Sequence, residues 1–85
     1  MIANSLPMHP GQVLSEVYMS EMGLNQTALA NLCGCSPRKI NEIVNKKHSI
    51  TAETAPALAG VLKTSPEFWL NLQSNYELWQ AKAIN

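Results

Sequence analysis

NQTALANLCGCSPRKINEIVN, residues 25 to 45, is the stretch on which the fold turns. It holds two short helical patterns with a brief interruption between them. Asn25 is a helix-capping residue, and Ala28, Leu29, Leu32 and Cys33 follow at a spacing that should turn them inward. Gly34 suits the left-handed residue that closes a helix, because it carries no Cβ to clash there. Ser36-Pro37 is a strong start signal, a capping hydroxyl followed by a proline whose missing N–H costs nothing in the first turn. Ile40, Ile43 and Val44 then form the buried side of a helix that ends near Asn45. Ala30 is small enough to let the two helices cross closely. Two short helices joined through Gly34, Cys35 and Ser36 make a helix-turn-helix, whose second helix enters the major groove of DNA.

Outward from this core, punctuation marks three more helices. Pro10-Gly11 opens one that carries Val13, Leu14, Val17, Tyr18 and Met22 as a stripe of period 3.6, and Gly23 stops it. Lys46 to Ile50 is read as a polar connection. Thr51 caps the fourth helix, with Ala55, Leu58, Ala59 and Leu62 on one side. Pro56 falls in its second turn and removes a hydrogen bond there, so the helix should start late or bend. Ser65-Pro66 opens the fifth, which carries Trp69, Leu72, Tyr76 and Trp79. No stretch alternates with period two for long enough to make a strand. The expectation is an all-α five-helix bundle, a single domain over residues 9–85 behind a short, loose tail over residues 1–8.

The chain has 85 residues and a net charge of zero, from six cations and six carboxylates. Arg38, Lys39, Lys46 and Lys47 face only Glu42 within residues 38–48, whereas the rest sets Lys63 and Lys82 against five glutamates. One short segment is thus a positive pole on an acidic body, suited to phosphate. A domain this small buries only about 60% of its unfolded surface, so self-association is an expected support. Cys33 and Cys35 lie too close in sequence to clamp a long loop. They read as two small apolar residues in a reducing compartment, without a second Cys/His pair for zinc. No apolar run approaches the roughly 20 residues of a membrane span. The first eight residues lack the basic-then-apolar order of a secretion signal, so the expected location is cytoplasmic. His9 and His48 have no acidic or cysteine partners at ligand spacing, and the chain has no aspartate. The reading is a non-enzyme with no metal and no cofactor.

Helical geometry names the residues that meet DNA. With Ile40, Ile43 and Val44 inward, the opposite side centres on Arg38 and Glu42, with Asn45 close by and Lys39 and Asn41 flanking it. Arg38 is the candidate for a bidentate contact to guanine, and Asn41 for adenine or phosphate. Glu42 has two readings, as an acceptor from cytosine or as the i,i+4 partner that holds Arg38. Ser36 and Lys39 are assigned to the DNA backbone. Gln26 and Thr27 sit at a helix N-terminus whose open amides suit a phosphate, and Lys46 and Lys47 suit non-specific phosphate contact.

GLNQTALANLCGCSPRKINEIVNKKHSIT, residues 23 to 51, resembles the helix-turn-helix of the Cro/C1-type (XRE) family. MHPGQVL at residues 8–14, INEIVNKKHSITAETA at 40–55 and TSPEFWLNLQSNYELWQA at 64–81 narrow the resemblance to HigA-type antitoxins. The resemblance implies a lambda-repressor-like fold and a homodimer that binds a palindromic operator in its own promoter. It also implies a cognate toxin partner, a RelE-like messenger-RNA endonuclease that the antitoxin neutralises. Pro56 departs from the group, which usually has a helix former there, and Cys33 and Cys35 stand where aliphatic residues are usual. Two other readings are a stand-alone repressor without a toxin and a protein-interaction module that has lost DNA binding. Tyr76, Leu78 and Trp79 lie beyond the expected core and are assigned to an exposed apolar patch that forms the dimer interface.

Overall fold

The computed structural model describes residues 7 to 84, with side chains for residues 7 to 82. Most of the N-terminal tail, Met1 to Leu6, lies outside the described residues. Five helices follow in order. The first, α1, runs in α geometry over Pro10–Val13, in π geometry over Leu14–Met19 and again in α geometry over Ser20–Met22. Then come α2, Gln26–Cys33; α3, Pro37–Val44; α4, Thr54–Leu62; and α5, Pro66–Ile84. None of them is long and apolar enough to cross a membrane.

Local capping explains most boundaries. The Asn25 side chain accepts from the Ala28 amide at 2.7 Å, Ser36 Oγ from Lys39 N at 3.2 Å and Ser65 Oγ from Phe68 N at 3.1 Å. Gly23 and Gly34 take positive φ after α1 and α2. Thr51 Oγ1 accepts from Thr54 N at 3.3 Å, and its carbonyl accepts from Ala55 N at 2.9 Å. Pro56 then has no amide to offer the Ala52 carbonyl, so regular α4 begins only at Thr54. This is the late start expected of that helix.

Leu14, Leu29, Ile40, Ile43, Leu58 and Trp69 are fully enclosed and form the centre of the core. Tyr18 and Phe68 pack around Trp69 with ring centroids 5.4 and 5.1 Å from it, and Trp69 Nε1 donates to Thr64 Oγ1 at 2.7 Å. Ala55, Leu58, Ala59 and Leu62 are all buried, as the spacing in α4 predicts.

Two stripes differ from the sequence reading. In α1 the π segment widens the turn, so Leu14 and Met19, five apart, point inward while Val17 and Met22 are 44% and 48% exposed. In α2 the buried pair is Leu29 and Ala30, and Leu32 is 59% exposed. Cys33 and Cys35 are each half-buried rather than core residues. Burial, with Cys35 adding to it, pushes the Cys33 thiol up to about 11. The connection after α3 is not wholly polar either: Ile50 is buried, and its amide donates to the buried Gln73 Oε1 at 2.9 Å.

His9 caps α1. Its Nδ1 accepts from the Gly11 amide at 2.9 Å, and its ring meets Tyr76 edge-on with centroids 4.9 Å apart. Burial, then the Lys46 ammonium, hold its pKa below the ordinary value, with Glu77 pulling the other way. Between that lowered value and the unfolded value near ~6.5 the unfolded chain binds more protons, so stability falls as pH drops through this window. Urea unfolding at pH 7.5 and 5.5 should therefore show a larger loss for the wild type than for His9→Asn, which keeps a capping acceptor without the titration. Equal losses would disprove the assignment.

Candidate nucleic-acid interface

The outer face of α3 begins where Pro37 starts the helix and ends at Asn45. Arg38 leaves 86% of its side chain exposed, and its Nε lies 3.2 Å from Glu42 Oε2. In the unbound protein Glu42 thus takes the second of its two expected roles, as the partner that holds Arg38. The single Nε contact leaves both terminal amino groups of the guanidinium to form the fork that matches guanine.

One residue further round, Asn41 Nδ2 donates to Gln26 Oε1 at 3.1 Å. This bond ties the outer face of α3 to the first residue of α2 and keeps Asn41 Oδ1 and Gln26 Nε2 for other partners. Asn45 Nδ2 donates back to the Asn41 carbonyl at 2.9 Å, closing the end of the helix. Two bonded polar groups, Arg38–Glu42 and Gln26–Asn41–Asn45, therefore make up the polar strip on this face. Exposed Thr27 stands beside Gln26 at the open N-terminus of α2.

Two expected backbone contacts are engaged within the chain. The Ser36 hydroxyl caps α3, and Lys39 Nζ lies 3.7 Å from Glu53 Oε1 with only 29% of its side chain exposed. That ion pair was not legible in sequence, since Glu53 is fourteen positions away on the lead-in to α4. Lys46 and Lys47 follow α3, are exposed and have no carboxylate partner among the described residues. Lys46 sits at φ 64°, and the chain turns there so that Lys47 N donates to the Glu42 carbonyl at 2.7 Å. The positive pole thus divides into a paired, orienting half on α3 and an unpaired half at Lys46 and Lys47.

The residues assigned to the dimer do not form one patch. Tyr76 and Trp79 are half-buried, with ring centroids 5.8 Å apart, and line a groove with Pro7, Met8, Gln12 and Lys46. Leu78 is 60% exposed and, at about 100° per residue, projects from the other side of α5. The edge of Tyr76 against His9 explains why this end is less open than expected.

The helix-turn-helix family matches residues 16–69 of the chain. Virulence-associated protein I of Dichelobacter nodosus is 42% identical, over 93% of this chain and 74% of that protein. Antitoxin HigA-1 of Vibrio cholerae is 33% identical, over 89% of this chain and 71% of that protein. The structure of the Pseudomonas aeruginosa antitoxin HigA with the higBA promoter superimposes with a TM-score of 0.88 at 38% identity, covering 93% of this chain and 86% of that one. With the strip from Gln26 to Asn45 on its helix-turn-helix, the chain belongs to the XRE-type helix-turn-helix family, in its HigA-type antitoxin group.

Proposed function

We propose that the protein is an antitoxin and autorepressor. As a homodimer it binds a palindromic operator in its own promoter, and it neutralises a RelE-like messenger-RNA endonuclease. The observation that carries the DNA half is the exposed Arg38, aimed by Glu42 beside the Gln26–Asn41 bridge. Arg38 and Asn41 read base edges; Thr27, Gln26, Lys46 and Lys47 hold phosphates. That the Pseudomonas aeruginosa antitoxin HigA, similar over 93% of this chain, is solved with the higBA promoter supports DNA binding.

The toxin half rests on likeness to the antitoxin group and on the acidic body, which is left over for a basic partner. Co-expression with the neighbouring gene tests it: the two proteins should purify together. A small basic ribonuclease that is neither retained nor inhibited would leave a stand-alone repressor. Binding to promoter DNA should also fall steeply with salt, because each phosphate contact releases counterions. Salt-independent binding, or none, would leave only an interaction module.

The dimer is assigned to the Tyr76 and Trp79 face at the end of α5, without Leu78, which points the other way. A two-fold axis there sets two copies of α3 roughly 34 Å apart, one turn of DNA. Sedimentation should show Trp79→Ala shifted toward monomer at concentrations where the wild type is dimeric. An unchanged dimer would move the interface elsewhere.

A further inference from the structure

Cys33 and Cys35 flank Gly34 at the turn between α2 and α3, and both line one cavity of about 270 Å³. The far wall is the start of α4, where Ala57 offers its carbonyl to Cys33 Sγ at 3.9 Å, with Leu58 behind it. Lys39 reaches into the same cavity and is held there by Glu53. Neither thiol fills the core: each is half-buried and opens onto this space, as a pair of ligands must.

We propose that Cys33 and Cys35 form a two-thiolate site for a soft metal or metalloid ion of low coordination number, of the class of monovalent copper or trivalent arsenic. Three features support it. Both cysteines line the same cavity, separated by one glycine. Among the described residues no group of three Cys, His, Asp or Glu forms here, Glu53 of the cavity wall being paired with Lys39, which leaves tetrahedral zinc short of ligands, whereas soft thiolate donors select monovalent copper. Two thiolates on a monocation leave one net negative charge; Lys39 and Glu53 in the cavity wall cancel each other, so the amino end of α4 is what opposes that charge.

Loading balances without redox change. With monovalent copper two S–H bonds are exchanged for two Cu–S bonds and two protons leave. With phenylarsine oxide the As=O bond is exchanged for two As–S bonds, the two thiol protons leave as water, and arsenic stays trivalent. The site lies beside Ser36, the cap of α3, so an ion there sits against the start of the recognition helix.

The test uses the reduced full chain under anaerobic conditions, in two arms. In the first, monovalent copper is offered in competition with bicinchoninate. Wild type should withdraw one equivalent, and Cys33→Ser or Cys35→Ser should compete more than about a hundredfold less well. In the second, phenylarsine oxide is added and the remaining thiols are counted. The chain has two cysteines, so one arsenical should remove both, resist excess monothiol and yield to a dithiol. This count needs no variant. Capture of either probe by both sulfurs supports the site and tells which ion class it takes. Copper left on the chelator together with an arsenical that consumes one thiol would overturn it, as would a Cys35→Ser chain as competent as wild type. Neither arm involves DNA or toxin, so the outcome is independent of the proposed function.

Discussion

Gly11→Ala is expected to destabilise the protein by about 3 kcal/mol, the upper part of the range for forcing extra volume into a packed interior. Gly11 lies in the first turn of α1, where that helix crosses the end of α3. A Cβ on Gly11 would overlap the Ile43 carbonyl oxygen and sit 2.7 Å from the Ile43 carbonyl carbon and 3.0 Å from Val44 Cα. All three atoms are backbone, so no side chain can swing aside, and α1 must withdraw from α3. For a domain of this size each kcal/mol moves Tm by about 4–8 °C, giving a fall of about 12–24 °C by calorimetry or circular dichroism. Gly60→Ala is the control: nothing lies within 4 Å of its Cβ position inside α4. There alanine should stabilise by about 0.5–1 kcal/mol through helix propensity. A Gly11→Ala protein that melts with the wild type would refute the close packing of α1 on α3.

The Arg38→Ala variant is expected to lose about 1–3 kcal/mol of operator binding, roughly 5- to 150-fold. Its fold should be untouched. The side chain is 86% exposed, and an i,i+4 pair at a helix surface contributes only about 0.5 kcal/mol or less. On the proposed role of Arg38, its removal would delete the fork toward guanine and free Glu42 to repel phosphate. The loss should therefore be larger on operator than on unrelated sequence. Lys47→Ala should behave differently, weakening binding to all sequences alike and reducing the salt slope by about one.

The helices were legible because their signals are local. Asn25, Ser36 and Ser65 each cap a helix, and Thr51 bonds the turn that leads into α4, all within three residues of their own position, so a short sequence window contains the whole interaction. The charge split and the outer face of α3 were legible for the same reason. What sequence did not show depends on distant partners. Gly11 reads as a helix opener until the backbone of Ile43 is found against it. Nothing local to Gln73 signals that the Ile50 amide donates to it, and Lys39 reads as a phosphate contact until Glu53 faces it. The α1 stripe was misplaced because periodicity assumes a regular helix, and a π segment shifts the register in the middle. Tyr76 and Trp79 are half-buried because Pro7, Met8 and Gln12, from the other end of the chain, line the same groove.

The proposed function requires α3 to read sequence through Arg38. Fluorescence anisotropy at fixed salt should compare wild type and Arg38→Ala on the protein's own promoter and on a scrambled duplex of equal length. The account predicts that wild type prefers the promoter by at least about a thousandfold. It also predicts that Arg38→Ala loses most of its affinity on the promoter and little on the scrambled duplex. Equal affinity of the wild type for the two duplexes, or equal losses on both in the variant, would contradict it.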